Sequence, residues 1–312
     1  MDRNLALEFV RVTEAGAIGS SKWIGKGDKH AADRAAVEEM RSRFNAVDIN
    51  GTIVIGEGER DEAPMLFIGE KVGSGKGPEI DIAVDPLECT NSVAAGVPNA
   101  MSVFAAGPKG TLLHAPDTYM DKIAVGPKAK GVVHLDNSVK QNIEAVAKAL
   151  HKPVDEVTVI VMDRPRHEQL IKDIRAAGAR VYLITDGDVA GGIAPSLPQS
   201  GVDMLLGIGA APEGVLAATA IKCLGGFFQG RLKPRNEDEI SRIKKNGMSP
   251  DKLLEMEDLA KGDDLMFTAT GIMNGPMLRG IRTDEHGIYT HSVAMRTKTK
   301  TVRFIETIHH LR

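Results

Sequence analysis

Residues 157–189 read VTVIVMDRPRHEQLIKDIRAAGARVYLITDGDV, and this stretch decides the fold class. Val157–Met162 is a β-branched run of strand length. A helix is predicted over His167–Ala177, a second strand over Arg180–Thr185, and a further helix from Val189. The rhythm continues with a strand at Met204–Ile208 and a helix at Glu213–Cys223. Regular alternation of this kind predicts parallel strands joined by right-handed crossovers, with ligands bound beyond the C-terminal strand ends. Each of these strands ends in polar residues, so the polar turns are the places to look for chemistry.

The first half has a less regular pattern. Leu5, Phe9, Val10, Val12 and Ala15 fit one buried stripe of a helix over Leu5–Ile18, and Ala31–Phe44 gives a second. Gly51–Gly56 is a short β-branched run closed by glycine and is expected as a buried strand. A strand at Ile80–Val84 is expected to end at Asp85-Pro86, because proline cannot continue a central strand. Further strands are expected at Met101–Ala106 and Lys122–Val125, an exposed helical excursion over 235–264, and a strand at Leu265–Thr270. The fold class is therefore α/β, mixed in its first half and regularly alternating in its second. No Pro/Ser linker separates the halves, so 1–155 and 156–312 are expected as parts of one compact unit with a soft boundary.

Composition narrows the function. Thirty-nine Lys and Arg stand against 42 Asp and Glu, a net charge of -3, so no broad basic surface for nucleic acid is expected. No apolar run of membrane-spanning length and no signal-peptide core is present, which points to a cytoplasmic protein with no membrane partner. Two cysteines, Cys89 and Cys223, are too few for a disulfide framework and are expected as reduced thiols.

Two acidic turns follow predicted strands: Gly56-Glu57-Gly58-Glu59-Arg60-Asp61-Glu62 and Val84-Asp85-Pro86-Leu87-Glu88-Cys89-Thr90-Asn91. Carboxylates gathered together repel and hold their protons unless a divalent cation neutralises them, so a hard-metal site for Mg²⁺ or Mn²⁺ accounts for both turns. No Cys or His accompanies them at the spacing of a zinc site. Taken singly, any of these residues is equally well a member of a solvated acidic loop.

Asp85-Pro86-Leu87-Glu88-Cys89-Thr90 resembles the motif of the lithium-sensitive phosphatases. Together with Trp23-Ile-Gly-Lys-Gly-Asp-Lys29, the run Gly51 to Glu57 and Asp61-Glu-Ala-Pro-Met65, the chain resembles the class II fructose-1,6-bisphosphatases over nearly its whole length. The resemblance implies a layered αβαβα sugar-phosphatase architecture and metal ligands at Asp33, Glu57, Asp85, Glu88 and Glu213. It implies catalytic roles for Lys29, Asp61 and Thr90. It implies substrate contacts from Glu88, Cys89, Thr90, Tyr119, Arg164, Pro165, Arg166, Asp186, Gly187, Asp188 and Ala210.

By themselves Asp33 and Glu213 read as ordinary helix-start residues, and only the resemblance lifts them above that. Arg164-Pro165-Arg166 supplies two guanidinium forks suited to phosphate, and Asp186-Gly187-Asp188 can accept sugar hydroxyls or form a turn and helix cap. The activity that the resemblance implies is hydrolysis of fructose 1,6-bisphosphate to fructose 6-phosphate and phosphate by a cation-activated water, in gluconeogenesis, by a homo-oligomer, dimer or tetramer. A related phosphatase acting on sedoheptulose 1,7-bisphosphate or an inositol phosphate stays open, as does a silent sugar-phosphate sensor.

The sequence departs from the family pattern at Cys89 and Ala210, where glycine is expected, and at Arg164, where lysine is common. Gly73-Ser-Gly-Lys-Gly77 lacks phosphate-loop spacing and is expected as a surface hairpin. Arg296–Arg303 and His309-His310 are expected as an exposed strand face with no catalytic part.

Overall fold

The computed structural model describes residues 1, 4–58 and 64–310, and these divide into two compact units: Met1–Leu113 with Gly262–Arg312, and His114–Lys261. The chain passes between these units twice, because the last four strands return to the sheet begun by the first four.

The chain opens with α1 (Leu5–Ser21) and α2 (Lys29–Phe44), then β1 (Asn50–Ile55), β2 (Lys71–Val72), β3 (Glu79–Glu88), α3 (Thr90–Ala95) and β4 (Met101–Pro108). In the second unit come β5 (Tyr119–Val125), α4 (Val139–Leu150), β6 (Thr158–Met162), α5 (Glu168–Ala176), β7 (Arg180–Ile184) and α6 (Asp188–Ile193). That unit closes with β8 (Met204–Ala210), α7 (Ala211–Leu224), β9 (Phe227–Lys233), α8 (Glu237–Lys245), β10 (Leu253–Leu254) and α9 (Met256–Leu259). Back in the first unit come β11 (Met266–Gly271), β12 (Arg282–Asp284), β13 (Gly287–Arg296) and β14 (Thr301–His309).

The first unit is built on an eight-stranded sheet in the order β12-β13-β11-β4-β3-β1-β2, with β14 on β13. It is mixed: β1 and β3 run parallel, and the other pairs antiparallel. Phe9 of α1 and Phe44 of α2 meet Phe104 of β4 with ring centroids 5.0 and 5.4 Å apart. Each such ring, fully buried, contributes about 1.5–3 kcal/mol. The helices approach closely because Gly19 lacks a Cβ, which would sit 2.7 Å from the Ala35 carbonyl oxygen. More than a stripe of α1 is covered: Thr13 and Glu14 are buried, Thr13 in a hydroxyl chain with Thr270 and Ser292 and Glu14 accepting from Thr290.

Three local expectations change. β3 does not stop at Val84 but continues through Pro86 to Glu88. Asp85 pairs with Val103 and Glu88 with Met101, so β3 carries one extra residue there and bulges. A bulge asks for no ladder hydrogen bond from Pro86, which is how a proline sits inside a strand. Gly73–Gly77 is not a hairpin, because β2 and β3 lie on opposite sides of β1 and the loop must cross its end. Arg296–Arg303 is a hairpin turn between β13 and β14 rather than one exposed strand, and Arg296 is buried against Asp264 at 3.1 Å.

The second unit is a six-stranded mixed sheet in the order β10-β9-β5-β8-β6-β7. The alternating pattern yields the expected parallel set, β7-β6-β8, while β5, β9 and β10 add antiparallel strands. Its core is built from Ile123, Val125, Ile143, Val146, Val159, Val161, Ile174 and Leu206. A capping box between Ser138 and Gln141 starts α4.

Candidate active site

Register places the expected substrate residues of the second unit along one edge of its sheet. The parallel strands β6, β7 and β8 deliver Arg164-Pro165-Arg166, Asp186-Gly187-Asp188 and Ala210 at their C-terminal ends. β5 runs antiparallel to β8, so its first residue, Tyr119, stands opposite Ala210. On its other side Tyr119 faces Lys233, the last residue of β9.

Side chains then lock these turns together. Arg164 reaches Asp186 at 3.9 Å. Gly187 holds φ 92°, a left-handed conformation that suits glycine and turns the chain into α6. Arg166 donates from Nε and Nη2 to the Ile208 carbonyl at 3.0 and 2.9 Å, and its guanidinium lies 4.8 Å from the centre of the Tyr119 ring. His167, buried beside it, accepts the Ile208 N–H on Nε2 at 2.7 Å. Its Nδ1 must then carry the proton and donates to the Met162 carbonyl at 2.8 Å. Burial first, then the neighbouring arginines, hold the ring below the usual histidine range, and so it is neutral.

Below the Asp-Gly-Asp turn lies a buried charge cluster. Lys122 of β5 is among the most buried large side chains and donates to Asp188 Oδ2 at 2.5 Å. Glu213, in the first turn of α7, is pushed up to about 7 by burial and then by the Asp188 charge, against the pull of Lys122. Its Oε2 is buried with no hydrogen-bond partner among the described residues. A Cβ on Gly209 would fall 1.6 Å from Asp188 Oδ2, so the carboxylate requires glycine at 209. Ala210 itself is extended at φ -77°, and alanine fits there without strain.

In the first unit, Lys29 begins α2, Asp28 caps that helix by accepting the Ala31 N–H at 2.9 Å, and Asp33 sits one turn on. Glu57 follows β1 and is tied by its N–H to the Leu66 carbonyl at 3.0 Å. Burial, then the charge of Asp33, push Glu57 up to about 7. Asp33 is itself raised by burial, with His30 opposing. Asp85 Oδ1 accepts the Leu87 N–H at 3.1 Å within the bulge, and Glu88 is buried at its end. Cys89 has φ 69° and ψ 52°, left-handed like the glycine the family pattern calls for, and Thr90 begins α3. Asp61, with Glu59, Arg60 and Glu62, lies outside the described residues.

Glu57, raised by burial and by the Asp33 charge, and Asp33, raised by burial, are oxygen donors of the first unit suited to a hard divalent cation. Among the described residues no three His, Cys, Asp or Glu side chains close round one point, and Glu213 belongs to the other unit. The sequence pattern did not single out Lys122, His167, Arg235 or Glu239. Lys122 had a signal: it shares the strand face of Met120 and Ala124, a lysine where alternation demands an inward residue.

The bacterial, glpX-encoded fructose-1,6-bisphosphatase family matches residues 3–309 of this chain. The chain is 48% identical over 324 residues to the class 2 fructose-1,6-bisphosphatase of Haemophilus influenzae, covering 100% of this chain and 97% of that one. Against fructose-1,6-bisphosphatase 1 class 2 of Escherichia coli K12 the identity is again 48% over 324 residues, with 100% and 96% covered. A Synechococcus protein named D-fructose 1,6-bisphosphatase class 2/sedoheptulose 1,7-bisphosphatase is 47% identical over 334 residues, with 99% and 96% covered. The class defined by these matches and this mixed α/β fold is that of a phosphatase. Within it, the chain belongs to the bacterial class 2 fructose-1,6-bisphosphatase family.

Proposed function

We propose that the protein removes the 1-phosphate of fructose 1,6-bisphosphate, giving fructose 6-phosphate and phosphate, with Mg²⁺ or Mn²⁺ as the required cation. The family match over residues 3–309 carries this reading. Asp33, Glu57, Asp85, Glu88 and Glu213 would hold the cations, which supply charge neutralisation at the phosphoryl group. Thr90 and Asp61 would orient the attacking water and take its proton, and Lys29 would add positive charge beside the phosphoryl oxygens. Arg164 and Arg166 would hold the second phosphate against Tyr119. Asp186 and Asp188 would accept sugar hydroxyls, with Lys122 holding the Asp188 carboxylate in place through its hydrogen bond to Oδ2.

The name of the Synechococcus relative makes sedoheptulose 1,7-bisphosphate the second substrate to test. No helix among the described residues is long and apolar enough to cross a membrane. A cytoplasmic homo-oligomer acting in gluconeogenesis is part of the same proposal. The test is phosphate release from fructose 1,6-bisphosphate with Mn²⁺, Mg²⁺ or EDTA. Release should need a cation, vanish in Asp85→Ala and fall sharply in Thr90→Ala. A folded wild type that releases none with either cation would refute the reading.

A further inference from the structure

Tyr119 carries a second guanidinium. Arg235 lies two residues beyond β9, and its Cζ stands 4.8 Å from the centre of the Tyr119 ring, the same distance as Arg166. The two forks are brought there from different elements, Arg166 from the turn after β6 and Arg235 from the turn after β9.

Arg235 is held in place before any ligand arrives. Glu239, 2% exposed, accepts the Arg235 Nε–H at 2.6 Å on Oε1 and the Arg235 backbone N–H at 2.8 Å on Oε2, and pairs with the guanidinium, whose Nη2 stands 2.5 Å from Oε1. The same Oε2 takes the hydroxyl of Thr118 at 2.7 Å, so the carboxylate is fastened to the residue preceding Tyr119. Glu239 is fixed in turn on α8, whose N-cap Asn236 accepts its N–H at 2.9 Å. Burial alone would raise this carboxyl, but its bonds to Arg235 and Thr118 outweigh it and hold it down at about 2. The pair is thus ionised at any working pH.

A guanidinium has five N–H donors. Glu239 engages two of those on Arg235, and the Ile208 carbonyl two of those on Arg166. Each fork therefore keeps donors to spare beside one phenol. Two partly exposed, preorganised guanidiniums against one tyrosine ring suit a tetrahedral dianion, since fork donors match phosphate oxygens in pairs.

We propose that Arg235 completes, with Arg166 and Tyr119, the clamp for the phosphate that is not cleaved, and so sets the preference for bisphosphates over monophosphates. This rests on the proposed sugar-bisphosphate reading. Glu239 is the positioning residue of the clamp. A capping role alone, with Arg235 merely tying α8 to β5, would affect all substrates alike.

The test compares wild type with Arg235→Met and Arg235→Lys on fructose 1,6-bisphosphate and on fructose 1-phosphate, which lacks the second phosphate. Arg235→Lys keeps the charge beside Glu239 and guards against a folding failure of Arg235→Met. Removing one charge-assisted hydrogen bond corresponds to about a ten- to hundredfold fall in kcat/KM for the bisphosphate. The value for fructose 1-phosphate should stay within about threefold of wild type. Arg235→Lys should fall between, its ammonium replacing the charge but not the fork. Equal losses on both substrates, or no loss on the bisphosphate, would overturn the proposal.

Calorimetric titration with fructose 6-phosphate in EDTA separates the two readings. Binding by wild type that is lost in Arg235→Met supports the clamp even if turnover is absent and the hydrolase reading fails. Absent binding by wild type, or binding unchanged in the variant, overturns the clamp.

Discussion

Replacing Lys122 with methionine is the sharpest perturbation this structure offers. Met has nearly the same length, so the β5 strand and the space beneath α6 stay filled. The change removes the ammonium 2.5 Å from Asp188 Oδ2, in a place where Asp188 is 9% exposed and Glu213 already keeps one orphaned oxygen. Removing one partner of a buried pair strands the other and costs about 3–5 kcal/mol. Lys122→Met should accordingly lower the unfolding free energy by that amount, seen as a lower urea midpoint at unchanged slope. Lys122→Met with Asp188→Asn removes both charges and should recover about half of the loss, because a neutral amide carries a smaller burial penalty. Gly209→Ala attacks the same pair from the other side and should also cost stability. An unfolding free energy for Lys122→Met within about 1 kcal/mol of wild type would refute the argument, since the pair would then be worth no more than a surface ion pair.

At Cys89, φ 69° reverses the usual order of alanine and glycine: Cys89→Gly should be more stable than Cys89→Ala by about 1 kcal/mol in matched denaturation curves, and equal or reversed values would contradict the strain. Glu57 and Glu213, both raised to about 7, keep protons in the fold that the unfolded chain has released. Without cations, stability from these groups is therefore full below about pH 4.5 and is lost as pH rises through about 7. Melting in EDTA should show this loss, and added Mn²⁺ should reverse it by favouring the ionised form; a cation effect that does not grow with pH would count against these carboxylates as ligands. His167→Phe removes both bonds that pin Ile208 and Met162, should cost about 1–3 kcal/mol, and should raise KM through Arg166 with little change in kcat. An unchanged KM would detach His167 from the phosphate turn.

The parallel strands of the second unit were legible because β-branched runs of five or six residues alternate with helices, and their polar turns mark the edge where site residues gather. The turn at Asp85–Thr90 was legible as chemistry but not as backbone. Pro86 argues for a strand end, and only the partner β4 reveals that the extra residue is absorbed in a bulge. Contacts distant in sequence stayed hidden for the same reason. Nothing in Lys233-Pro234-Arg235 says that the arginine reaches back to Tyr119, since that depends on the β5–β9 register. The two units left no local mark in the sequence, because β4 and β11 pair across the whole second unit and an antiparallel pair of such separation has no short-range signal.

That pairing also orders the birth of the molecule. His114–Lys261 is one unbroken stretch of chain, so its sheet can close as soon as it leaves the ribosome. The sheet of the first unit must wait, with β4 presenting a bare edge, until Met266–Gly271 and the three strands after it have been made. The half-built sheet is the period of greatest exposure to misassembly, and it is bounded by the time needed to synthesise the inserted unit.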